Sequence, residues 1–254
     1  MAKGTESDTV ELLGLDFDCL DDQRALQAIR ARAPSAPFAY VVTPNVDHIV
    51  RLSCTRSDVW PAYRHAWMTL CDSRILAKLA TFAGMRLPIT TGSDLTKAMF
   101  ATVMSRSDRI AVVGGNPALI AKLRERYGFT NLLHHNPAMG FIHDRAERAH
   151  AVDFVVAAQA RYVFLAVGSP QQELLAYDIA RTGEATGLAL CIGASLDFLV
   201  GEQTRAPVFV QQMSLEWLYR LATNPARLWR RYLVEGPQIV SVFHHWRQFH
   251  GHGL

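Results

Sequence analysis

The sequence predicts an α/β protein, a mostly parallel sheet flanked by helices with a C-terminal helical appendage. Three observations carry this expectation. Short apolar runs alternate with amphipathic segments from Asp21 to Gly193, the pattern of strands covered by helices on both faces. After Gly193 the helical pattern continues with no strand to interrupt it. At 254 residues, half of them hydrophobic, the chain is long enough for one substantial core with an addition. The division falls at residues 1–193 for the α/β core and 194–254 for the appendage.

In chain order, Asp21 to Ala33 reads as a helix and Phe38 to Thr43 as the first strand. Thr43 ends that strand, and Pro44 and Asn45 open the helix Val46 to Cys54. Thr43 and Asn45 either face one crevice at the strand end or serve only as caps. Asp47 and His48 are a catalytic pair or first-turn residues placed well in the helix dipole. Met68 to Cys71 forms the next strand, closed by Asp72. Ligands collect at strand carboxyl ends in open α/β sheets, so Asp72 is a candidate general base; it is equally a candidate N-cap for the helix Arg74 to Ala83. Gly92, Ser93 and Asp94 read as a turn and N-cap for the helix Asp94 to Met104.

Ile110 to Gly114 is a strand that runs into G-G-N-P, where Gly114 and Gly115 let the backbone approach a phosphate ahead of the helix Pro117 to Tyr127. The strand Leu132 to His135 leads into a histidine-rich loop with His134, His135 and His143. No metal-ligand spacing ties these to a carboxylate or thiolate, so the histidines are expected to line or close the cleft. After the helix Arg145 to Ala160, the strand Tyr162 to Val167 ends at G-S-P-Q-Q-E. There Ser169, Pro170 and Gln172 read as N-cap, first-turn proline and capping-box partner of the helix Pro170 to Arg181. Two such glycine corners, at Gly114 and at Gly168, suit a nucleotide diphosphate. Gln171 is the candidate reader of a base or ribose edge, and Glu173 the candidate holder of a ribose hydroxyl or an arginine. Leu188 to Gly193 is the last strand.

The remainder reads as helices beginning near Ser214 and near Asn224, the second with Pro225 at its first position. Arg205, Arg220, Arg227, Arg230 and Arg231 gather here, and Arg227, Arg230 and Arg231 stand at i, i+3, i+4, which makes one cationic face. Guanidinium groups grip phosphates bidentately, whereas the bland alternative is a solvated face paired with Glu216 or Glu235. A helical stripe of Ile239, Val242, Phe243, Trp246 and Phe249 closes the chain and either packs on the core or lies in a membrane interface.

Composition excludes several classes. A net charge of +3 argues against a general nucleic-acid binder. Four cysteines without C-x-x-C spacing argue against a zinc or disulfide framework and fit a reducing cytoplasm. No uncharged apolar run reaches the roughly 18 residues of a spanning helix, and the N-terminus lacks an apolar signal core, so membrane contact is expected to be peripheral.

T-P-N-V-D-H at Thr43 to His48, C-D-S at Cys71 to Ser73, V-G-G-N-P at Val113 to Pro117, G-S-P-Q-Q-E at Gly168 to Glu173 and the arginine-rich block Gly201 to Tyr232 together resemble the WecG/TagA/CpsF glycosyltransferase family, in the family's order. The resemblance runs from about Leu13 to Tyr232. It implies an α/β fold peculiar to that family, without a G-x-G-x-x-G after the first strand. It also implies inverting transfer of a sugar from a UDP-sugar (N-acetylmannosamine type, its uronic acid, or glucose) to a polyprenyl-diphosphate-linked saccharide, in surface-polysaccharide assembly.

On that resemblance Asp72 is the base, Thr43 and Asn45 position the reacting groups, and Arg86 contacts donor or acceptor unless it is only solvated surface. Ser73 stands where the family commonly has glycine. Gly114, Gly115, Gly168, Gln171 and Glu173 take the donor, while Arg220, Arg227, Arg230 and Arg231 of the appendage stabilise the leaving diphosphate. With no D-x-D pair at a strand end, those arginines are expected to replace a metal, and no cofactor is implied. The enzyme would sit on the inner face of the bacterial membrane through its C-terminal segment. Homo-oligomerisation is left open. Two alternatives stand beside this: a non-catalytic scaffold for lipid-linked saccharide, and a nucleotide-dependent oxidoreductase that lacks an acidic ribose partner about 20 residues beyond Gly115.

Overall fold

A computed structural model describes residues 8–201 and 216–250. The chain opens with an antiparallel hairpin, β1 (Thr9–Leu12) and β2 (Leu15–Asp18). Its two turn residues, Leu13 and Gly14, both have positive φ (57° and 83°), the conformation of a tight hairpin turn whose twist matches its strands. The hairpin was not foreseen, because its strands are short and its turn carries Leu-Gly rather than the usual Asn-Gly. Leu12, Leu13, Leu15 and Phe17 bury it against the core.

Six strands then form one parallel sheet: β3 (Ala39–Val42), β4 (Met68–Thr69), β5 (Arg109–Val113), β6 (Asn131–His135), β7 (Tyr162–Leu165) and β8 (Leu188–Cys191), in the spatial order β4-β3-β8-β7-β5-β6. β3, β7 and β8 are buried at every residue, which explains their unbroken apolar character. The edge strand β4 is only two residues long. Beside it, the buried carboxylate of Asp18 accepts the Thr69 amide at 2.8 Å and so supplies a partner that no neighbouring strand provides.

Helices cover both faces, as expected. One face carries α2 (Val46–Cys54), α3 (Trp60–Arg64), α4 (Arg74–Phe82), α7 (Arg145–Ala158) and α8 (Gln171–Thr182); the other carries α1 (Asp22–Ala31), α5 (Gly92–Thr102), α6 (Pro117–Tyr127) and α9 (Ser195–Val200). Alternate residues of β3 feed the two cores: Tyr40 and Val42 face one, Ala39 and Val41 the other. Beyond the sheet lie α10 (Glu216–Thr223), α11 (Pro225–Trp229), a π-helical turn (Arg230–Glu235) and α12 (Gln238–His250). The expected helix start near Ser214 lies outside the described residues.

The closing stripe goes mostly inward. Ile239 is buried, Val242, Phe243 and Trp246 pack against the same core, and the Trp246 indole donates to Glu11 Oε1 at 3.1 Å. Of the two open readings of the stripe, core packing therefore holds for these four residues. Phe249, the fifth, remains exposed, as does Val240.

Candidate active site

Because the six strands run the same way, their carboxyl ends form a single edge of the sheet. Along it stand Asp72 beyond β4, Thr43 beyond β3, Gly193 beyond β8, Gly168 beyond β7 and Gly114 beyond β5. From β4 to β5 is four strand spacings, about 19 Å at about 4.8 Å each. Asp72 and Gly114 therefore cannot meet at one atom, but both can touch an extended ligand. The chain leaves β5 towards β6 and leaves β7 in the opposite direction, towards β8. The helices that follow, α6 and α8, accordingly lie on opposite faces, and such a switch point opens a crevice at the strand ends.

The two glycine corners sit at this crevice. Gly114 has φ +94°, and a Cβ there would lie 2.7 Å from the Ala166 carbonyl oxygen, so only glycine fits against the end of β7. Gly115 has φ +74°, and a Cβ there would lie 2.7 Å from Leu119 Cδ2. Both carbonyls are braced from β6: His134 Nε2 lies 3.1 Å from Gly114 O and 3.2 Å from Gly115 O. Two acceptors facing one ring nitrogen require that nitrogen to carry the proton. The expectation that this histidine lines the cleft thus becomes a specific task, orienting the turn. His135 instead packs on His150 and Phe154, and burial, then His150, lowers its pKa. Among the described residues no three His, Cys, Asp or Glu side chains gather as a metal-binding group.

Gly168 has φ +80° and open space where a side chain would be. The corner it begins differs from the expected capping box. The Ser169–Pro170 peptide is cis, α8 starts at Gln171, and no side chain caps it. Gln172 is buried: its Oε1 accepts the Gly193 amide at 2.8 Å and its Nε2 donates to Glu173 Oε1 at 2.9 Å. It therefore ties α8 to the end of β8 rather than capping its own helix. Glu173 is 1% exposed, and of its two readings the nearby arginine is present as Arg51, which acts on its carboxyl. Desolvation raises its pKa against the opposing effects of Gln172, Ser169 and Arg51. Gln171, by contrast, is half-buried at the corner.

At the other end of the edge, Asp72 N donates to Pro44 O at 3.1 Å, which locks the ends of β3 and β4 together. Asp72 does not cap α4. The Ser73 hydroxyl does, accepting Leu76 N at 3.2 Å, so a serine in this position takes the capping duty that the sequence left open to Asp72. Asn45 does cap α2, its Oδ1 accepting the amides of Asp47 and His48 at 3.1 and 3.4 Å; only its amide nitrogen is left for other contacts. Thr43 is half-buried, with Gly92 against it: a Cβ on Gly92 would stand 2.7 Å from Thr43 Oγ1. Gly92 opens α5, whose cap is Thr91, accepting Asp94 N. The expected cap within Gly92 to Asp94 thus moves one residue upstream, and the glycine acquires a reason at the site. Arg86 is exposed.

Arg230 and Arg231 do not share one face. In the π-helical turn Arg230 points outward and pairs with Glu235 at 3.3 Å, as its bland reading anticipated. Arg231 turns inward and pairs with Asp47 at 3.2 Å; its Nε is buried without a hydrogen-bond partner among the described residues. Arg205 and the side chains of Arg220 and Arg227 lie outside the described residues. His48, beside this pair, has its pKa lowered by burial and then by Arg51 and Arg231, an environment that suits a neutral ring better than half of a catalytic pair.

Comparison with known proteins agrees with the motif order. Residues 10–252 match the family described as the glycosyl transferase WecG/TagA/CpsF family. A Bacillus spizizenii strain W23 protein named N-acetylglucosaminyldiphosphoundecaprenol N-acetyl-beta-D-mannosaminyltransferase is 32% identical over 158 residues. That alignment covers 61% of this chain and 60% of the length of the relative.

Proposed function

Since the chain belongs to the WecG/TagA/CpsF glycosyltransferase family, we propose that it transfers a sugar with inversion from a UDP-sugar to a polyprenyl-diphosphate-linked saccharide. The observation that carries the reading is the joining of Asp72 to the Thr43 strand end while Ser73 takes over the capping of α4. The name of the similar Bacillus protein favours an N-acetylmannosamine donor.

In the proposed step an acceptor hydroxyl oxygen attacks the anomeric carbon as the bond from that carbon to the β-phosphate oxygen breaks. The Asp72 carboxylate takes the hydroxyl proton, and the electron pair leaves with UDP. Thr43 and the Asn45 amide position the reacting groups. The Gly114–Gly115 turn, with Gly168 and Gln171, holds the diphosphate and uridine across the switch point. Arg231, with Arg220 and Arg227, meets the charge that develops on the leaving diphosphate. Residues 194–254 complete the site, and the exposed Trp229, Leu233, Val234, Val240 and Phe249 form the face that rests on the membrane. No helix among the described residues is long and apolar enough to cross it.

A panel of UDP-sugars with a short-chain lipid-linked acceptor tests this. UDP release that requires the acceptor is expected for one donor, and it should persist in EDTA, because arginines supply the neutralising charge. UDP release abolished by EDTA and restored by magnesium would overturn the metal-independent scheme. Binding of both substrates with no UDP released would leave a scaffold instead.

Gly92→Ala is expected to lower turnover roughly 10-fold by displacing the Thr43 hydroxyl, with little change in melting temperature. Steady-state kinetics beside a thermal melt check it. Unchanged turnover would remove Thr43 Oγ1 from the reaction.

A further inference from the structure

Three charged side chains meet where the C-terminal segment passes the first turn of α2. Asp47 Oδ2 accepts Arg51 Nη2 at 3.1 Å, one helical turn on, and is ion-paired with Arg231 Nη2 at 3.2 Å. Arg51 extends the chain of contacts to the donor corner: Nη1 donates to Ser169 O at 3.0 Å and Nη2 to Ser169 Oγ at 3.3 Å. The Tyr63 hydroxyl lies 3.2 Å from the same Oγ. The Asp47 side chain is only 19% exposed and that of Arg51 23%, so these contacts are less screened than a surface ion pair.

A single carboxylate oxygen thus serves two guanidinium groups from distant parts of the sequence. Without it, two like charges would face each other at short range and Arg231, on a turn at the edge of the fold, would move out to solvent. With it, the trio keeps one uncompensated positive charge and a buried Arg231 Nε with no hydrogen-bond partner among the described residues. An arriving diphosphate suits both.

We propose that Asp47 is a positioning residue: its carboxylate holds Arg231 at the active site and, through Arg51, in register with the Ser169 corner. The proposal rests on the reading that Arg231 meets the leaving diphosphate. Asp47 itself touches no substrate and acts through Arg231.

The test combines a double-mutant cycle with amide hydrogen exchange, on the full chain. Asp47→Asn keeps the side chain's shape and removes its charge. It is expected to lower turnover roughly 5-fold in the parent and to cause no further loss in an Arg231→Ala background, the signature of a residue acting through its partner. Exchange should accelerate at residues 228–236 while β3, β7 and β8 keep their protection. An equal loss in both backgrounds, or unchanged exchange at 228–236, would overturn the proposal. So would faster exchange at those residues with full turnover. If the parent turns over no UDP-sugar, the proposed function falls, and the exchange result alone decides whether Asp47 holds the segment.

Discussion

Asp72→Asn is expected to lower turnover by roughly 100-fold or more while the protein stays folded, since an amide of the same shape cannot take the acceptor proton. The substitution leaves the cap of α4 in place. The backbone bond from Asp72 N to Pro44 O survives, and the start of α4 is capped by Ser73, so no helix end depends on the lost carboxylate. Had Asp72 been the cap, the variant would have mixed about 1 kcal/mol of stability loss with any loss of chemistry. UDP release under single-turnover conditions, beside a thermal melt of the same preparation, separates the two. Turnover within a few-fold of the parent would remove Asp72 as the base.

Arg231→Ala should weaken the transition state by about 1.5 to 3 kcal/mol, roughly 10- to 150-fold in kcat/KM, if a charged hydrogen bond to the diphosphate is lost. Asp47 keeps Arg51 after this change, so the first turn of α2 does not gain an unpaired buried charge. Arg231→Lys should recover only part of the loss, because an ammonium cannot reproduce the planar two-point grip of a guanidinium. Arg230→Ala is the control, for its side chain is 74% exposed and paired with Glu235. Equal losses at positions 230 and 231 would mean that general positive charge, not the inward placement of Arg231, is what counts.

The central strands and most helices were legible because β3, β7 and β8 are unbroken apolar runs and most helices begin at an asparagine, aspartate, serine or threonine. Less legible was anything fixed by contacts between distant segments. The capping pattern S-P-Q-Q predicted a local bond between Ser169 and Gln172, but Gln172 is committed to Gly193 on another strand, and no spacing rule encodes that. The same limit hid the burial of Glu173 and the bracing of the Gly114 turn by His134. The helical spacing of Arg227, Arg230 and Arg231 suggested one face, but adjacent residues on an α-helix already stand about 100° apart, and here Arg230 pairs with Glu235 while Arg231 pairs with Asp47. One signal was present and passed over: Asp47 and Arg51 stand at i, i+4 on a helix, a pairing that already linked the T-P-N segment to a cation.

The enclosed carboxyl of Glu173 gives the fold a proton linkage of its own. Its pKa is raised in the folded chain, whereas the unfolded chain ionises at the ordinary value. Between those two pKa values the folded state holds a proton that the unfolded state has released, so folding takes up a proton and stability falls as pH rises through that window. Most acidic residues of a folded protein act in the opposite sense. The carboxyl beside the strut between α8 and the end of β8 therefore favours the folded state most in acid, and its ionisation weighs against folding as pH rises to the folded-state pKa.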